Sequence, residues 1–186
     1  MKKYKILLPL FVALFFLATG FIQKNSPGIP WKNKTADEGT WSGTVSYFNK
    51  ITGTKIILSE WKMDATINNN TVNATNEYNF ANTLGDVAEC KGRDTTVQEV
   101  ISIDYEEKEY YIDVQIPPCR GTATTSGVTE PYGASDETGI VIPKQRLGDN
   151  PNVISGTLVL NEPDATGGLS VTTYKWNLVR GVKKRN

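Results

Sequence analysis

The chain has 186 residues, 39% hydrophobic and 22% charged, with 20 Lys and Arg balanced by 20 Asp and Glu and no histidine. That length suits one domain and is enough to bury a core without structural metals. The missing histidine removes the Ser-His-Asp and Cys-His nucleophile systems, the HExxH zinc site and any imidazole base, and the balanced charge argues against a nucleic-acid binder.

Met1-Lys2-Lys3-Tyr4-Lys5 is a short basic start, and the run Ile6 to Ile22 is apolar apart from Thr19 and Gly20, with one break at Pro9. This order is that of a secretory signal, and Ala18-Thr19-Gly20 supplies the small residues of a cleavage site after Gly20. The expected organisation is a signal peptide at 1–20, a linker at 21–37, a β-domain at 38–182 and a basic tail at 183–186. Cleavage would remove Lys2, Lys3 and Lys5 and no acid, taking the net charge from 0 to −3 and leaving no membrane span. The predicted location is extracytoplasmic, either secreted or periplasmic.

From residue 38 onward the pattern has period two. Trp41 to Tyr47 alternates large and small residues. Next, Ile57, Trp61, Met63, Ala65 and Ile67 share one face and Glu60, Lys62, Asp64 and Thr66 the other, as in a half-buried antiparallel strand. Asn68-Asn69-Asn70 reads as a turn, and Val72 to Phe80 as a weaker strand at an edge or rim. Lys91 to Thr95 is one place for a tight turn. A hairpin is expected from Val97 to Ile116, pairing Tyr105 with Tyr110 and Ile103 with Ile112 around a charged loop at 106–109. Pro117 to Thr138 reads as a long irregular loop. Gly139 to Ile142, Val153 to Leu160 and Leu169 to Arg180 complete eight or nine strands. The fold class is all-β, either a meander barrel or a sandwich.

Cys90 and Cys119 are the two cysteines, and in an oxidising compartment they are expected to form one disulfide. With a turn at 91–95 they would flank a third strand, about 9–10 Å apart, too far to bond. The disulfide therefore requires either a loop that folds across or strands in facing sheets.

Gly39-Thr40-Trp41 opening the first strand, together with Arg180 at the end of the last, resembles the lipocalin signature. The resemblance implies a cup-shaped barrel that binds small apolar ligands, with Trp41 packed beneath Arg180. No helical pattern follows Arg180, where lipocalins carry a helix.

Other constellations carry less chemistry. Asp104, Glu106, Glu107 and Glu109 sit at a hairpin tip, where solvent keeps a carboxyl from the raised pKa a glycosidase acid needs. Asp136-Glu137 and Asp164 lack the spacing of a calcium loop. Ser59-Glu60-Trp61-Lys62 spells S-x-x-K, but on a strand positions three apart point to opposite faces. Asn33-Lys34-Thr35, Asn69-Asn70-Thr71 and Asn73-Ala74-Thr75 are glycosylation sequons. The functional expectation is a non-enzymatic binding protein with no cofactor, no metal and no catalytic residue. Its partner would be a small apolar ligand in a barrel, or an extracellular protein or glycan on a sandwich. The candidate contact residues are Trp41, Trp61, Trp176 and Arg180, with Arg120 and Tyr132 from the 117–138 loop. A surface module without a pocket is the alternative, and a carboxylate hydrolase the third.

Overall fold

The computed structural model describes residues 39–133, 138–164 and 167–181, all within one unit spanning Lys34–Asn186. The expected signal peptide, linker and basic tail, the sequon at Asn33 and the Asp136-Glu137 pair lie outside the described residues.

Eleven strands form two antiparallel sheets. They are β1 (Trp41–Thr52), β2 (Ile56–Asn68), β3 (Thr71–Asn82), β4 (Val87–Val97), β5 (Ile101–Asp104), β6 (Glu109–Ile116), β7 (Arg120–Thr125), β8 (Val128–Gly133), β9 (Thr138–Arg146), β10 (Val153–Pro163) and β11 (Leu169–Arg180). The large sheet has the order β10-β11-β1-β2-β3-β4-β7-β8, and the small one β5-β6-β9. The all-β expectation is met in its sandwich form. The large sheet ends at β10 and β8 without closing on itself, so the barrel implied by the lipocalin-like residues does not form. Their local packing does occur: Trp41 pairs in register with Arg180, and a Cβ added at Gly39 would run into the Arg180 side chain. The motif here clasps the first and last strands of the chain, which are neighbours inside an open sheet.

The core follows from the period-two pattern. Trp41, Val45, Met63, Ala65, Ile67, Val72, Ala74, Ile154, Trp176 and Leu178 point inward from the large sheet. They meet Ile101, Ile103, Tyr110, Ile112, Val114, Ile116, Ile140 and Ile142 of the small one. Trp176 ties the layers together, donating from Nε1 to Tyr110 Oη at 2.9 Å.

Four local expectations need correction. The segment 72–80 lies in β3, the fifth of eight strands and so not an edge; its inward side chains, Ala74 and Asn76, are small or polar, which made it look weak. Residues 91–95 form no turn but the middle of β4. The 101–116 hairpin pairs Ile103 with Tyr110 and Ile101 with Ile112, two residues from the expected register and with the same faces. Asp104 decides the difference: its Oδ1 accepts from the amides of Glu106 and Glu107, both at 3.0 Å, which draws Tyr105 into the turn. Finally, 117–138 holds a hairpin, β7–β8, turned at Ser126 (φ 53) and Gly127 (φ 79). A two-residue turn with both φ positive matches the twist of its strands.

The disulfide is present, with Cα atoms 5.3 Å apart. The expected obstacle vanishes because β5 and β6 leave the large sheet to build the small one. That lets β7 pair directly with β4, with Cys90 opposite Gly121 and Cys119 two residues away. A buried disulfide is consistent with an oxidising, extracytoplasmic compartment.

Candidate functional site

The central strands of the large sheet are longer than those of the small sheet. β1, β2 and β3 run 12, 13 and 12 residues, whereas β6 and β9 run 8 and 9. At about 3.4 Å per residue that difference is roughly 10–17 Å of strand. Over this length the inward side chains change from aliphatic to aromatic and polar. Tyr47 and Asn49 follow Val45 on β1, Trp61 and Ser59 precede Met63 on β2, and Asn76 and Tyr78 follow Ala74 on β3. On β11, Tyr174, Thr172 and Ser170 precede Trp176.

Cross-strand register gathers the rings into a row. Tyr47 lies opposite Tyr174, and Trp61 opposite Tyr78. Beyond Tyr78 come Cys90, Gly121 and Tyr132 on successive strands. Neighbouring ring centroids are 5.3 Å apart for Tyr174–Tyr47, 6.2 Å for Tyr47–Trp61, 6.2 Å for Trp61–Tyr78 and 5.9 Å for Tyr78–Tyr132. The first three contacts are edge-to-face, the arrangement the ring quadrupole favours. Tyr78 and Tyr132 reach each other across two strands because the positions between them are a disulfide cysteine and a glycine. A Cβ at Gly121 would strike the Glu89 carbonyl and Cys90 Cα.

Hydrogen bonds hold the row in place. Trp61 Nε1 donates to Asn76 Oδ1 at 2.6 Å, and Asn76 Nδ2 donates to the Pro117 carbonyl at 2.9 Å. Asn49 Nδ2 donates to Ser170 Oγ and Thr172 Oγ1, both at 2.8 Å. Thr172 lies beside the Tyr47 hydroxyl and Ser59 beside that of Tyr78. Burial raises all four tyrosines: Tyr47 strongly, Tyr78 to about 12, and Tyr132 and Tyr174 upward. Every phenol therefore keeps its proton at neutral pH and remains a donor.

The sequence-predicted residues divide into three groups. Trp61 and Tyr132 belong to the row. Trp41 and Trp176 are core residues, 2% and 5% exposed, and Arg180 lies at that end, donating from Nη1 to Tyr105 Oη at 3.1 Å. Arg120 is exposed on β7, one position from inward Gly121, so it faces the opposite side of the sheet. Sequence reasoning did not single out Tyr47, Tyr78, Tyr174, Asn49 or Asn76 as site residues, since no local motif unites them; only the pairing of the seven strands from β11 to β8 builds the row. Ser59 is buried inward and Lys62 exposed outward, so the S-x-x-K spelling has no shared face. Among the described residues there is no group of three or more Asp, Glu or Cys arranged to hold a metal, and no helix long and apolar enough to cross a membrane.

No protein-family model matches this chain, no curated protein matches it in sequence and no solved structure matches it.

Proposed function

We propose that this chain is a secreted or periplasmic, non-enzymatic binding protein that lays an uncharged glycan along the aromatic row of the large sheet. The observation that carries the reading is the row itself: five rings on five strands, spaced 5.3–6.2 Å and interleaved with Asn49, Ser59, Asn76, Ser170 and Thr172. A pyranose ring is amphipathic, with a C–H face that packs on an aromatic π-system and hydroxyls that need amide or hydroxyl partners. The half-buried rings of Trp61, Tyr78, Tyr132 and Tyr174 offer the first and the tyrosine hydroxyls the second, while buried Asn49 and Asn76 hold the rings in place, and the ring spacing is close to the advance per sugar in an extended chain. A fully apolar ligand fits less well, because the half-exposed tyrosine hydroxyls of the row would lose solvent without gaining partners.

The carboxylates give a hydrolase little support. Asp104 caps a turn, Glu109 pairs with Lys144 at 2.8 Å, and neither is on a row strand. The test is a screen of the purified protein against neutral and acidic oligosaccharides, repeated with Tyr132→Ala and Tyr174→Ala at the two ends of the row. Retention of neutral glycans, weakened about tenfold or more by either substitution, supports the reading. Binding that both variants leave unchanged overturns it.

A further inference from the structure

The four sheet edges are unequally protected. β8 is six residues long and carries Glu130 and Pro131; β5 is four residues long; β9 carries Pro143, Lys144 and Arg146. Short length, charge and proline are the usual means of preventing strand addition. β10 has none of these along most of its course. It runs eleven residues, Val-Ile-Ser-Gly-Thr-Leu-Val-Leu-Asn-Glu-Pro, with its single charge and its proline in the last two positions. Among the described residues no strand pairs with its free edge, and Val153, Ser155, Thr157 and Val159 on its outer face are exposed.

We infer that β10 is a self-association edge, pairing antiparallel with β10 of a second copy of this chain about a two-fold axis through Gly156. The occupant follows from the pattern of the strand. A two-fold axis normal to the sheet keeps inner residues opposite inner ones, which leaves only registers that move in steps of two. In the register centred on Gly156, Val153 faces the second copy's Val159, Ile154 faces its Leu158, and Ser155 faces its Thr157. Each pair matches like with like on its own face of the sheet. Centring on Thr157 instead sets Ser155 against Val159 and Val153 against Asn161; centring on Ser155 sets Val153 against Thr157 and Ile154 against Gly156. The product is a continuous sheet of twice eight strands with both inner faces on the same side. This inference is independent of what the aromatic row binds.

The experiment is sedimentation velocity of the protein purified from a secreting host, over a range from low to high micromolar. The wild type is expected to shift from monomer to dimer across it. The S155K/T157K variant sets lysine opposite lysine twice and is expected to weaken dimerisation by about tenfold or more. Both positions are exposed, so circular dichroism and melting should stay at wild-type values. The S155K/T157E variant sets opposite charges across the axis only in the proposed register, and is expected to restore the dimer. A wild type that stays monomeric throughout, or a dimer indifferent to S155K/T157K, overturns the inference. So does an S155K/T157E variant as dissociated as the double-lysine one, or an edge that takes only extended peptides of other proteins.

Discussion

Trp61→Phe isolates the contact on which the row's geometry depends. Phenylalanine keeps a ring against Tyr47 and Tyr78 but has no N–H, so Asn76 Oδ1 loses its 2.6 Å donor. Asn76 is fully buried, at 0% exposure, and no water reaches the abandoned acceptor. An orphaned buried acceptor costs about 1–3 kcal/mol, and the smaller ring forfeits roughly another 1 kcal/mol of aromatic contact. The expected destabilisation is about 2–4 kcal/mol, or a Tm lower by roughly 5–12 °C for a domain of this size. Urea denaturation followed by circular dichroism measures it directly. Asn76→Ala in both backgrounds closes a double-mutant cycle, whose coupling should be about 1–2 kcal/mol. A loss below about 0.5 kcal/mol, or a coupling near zero, would refute the claim that the indole–amide bond holds the row.

Three further outcomes are expected. Cys90→Ala/Cys119→Ala releases a cross-link between residues 29 apart in sequence and should lower stability by about 3–4 kcal/mol through the unfolded chain, measured by chemical denaturation of both forms. Gly121→Ala places a Cβ against the Glu89 carbonyl oxygen, a backbone clash no rotamer relieves, and should cost about 2–4 kcal/mol while loosening the hairpin that carries Tyr132. Stability should also fall at alkaline pH. Burial holds Tyr78 near 12 against an ordinary value of 10.0, and Tyr47 is raised as well. A phenol raised in the folded state stabilises fully below pH 10, and that contribution is lost as pH rises toward 12. It amounts to about 2–3 kcal/mol for Tyr78, and denaturation curves on either side of pH 10 would show no such loss if the rings were solvent-exposed.

The strands that were legible in the sequence are those whose inner positions are large and apolar. Val45, Met63, Ala65 and Ile67 declare β1 and β2, and Tyr174, Trp176 and Leu178 declare β11. The Asn69-Asn70 turn was legible for a different reason, since both residues take positive φ, 49° and 65°, which asparagine tolerates. β4 and β7 were not legible because their inward positions hold Cys90, Gly92, Gly121 and Ala123, too small to mark a period of two. These small residues let Tyr78 and Tyr132 meet above them, so the feature that hid the strands also builds the site. The Ser126-Gly127 turn between two threonine-rich runs was the available signal for the β7–β8 hairpin. The fold class followed from local pattern. The choice of sandwich over barrel did not, because it depends on β5 and β6 leaving the large sheet and on β8 and β10 staying apart. The aromatic row lay further out of reach, each tyrosine being indistinguishable from a core residue until the register of seven strands is known.

The most direct test of the glycan reading is isothermal titration of the wild-type protein with neutral oligosaccharides of one linkage and increasing length. Rings spaced in one row predict that affinity rises with each added sugar until the row is covered, and then levels off. Affinity independent of length, or binding confined to acidic sugars or apolar probes, would contradict it.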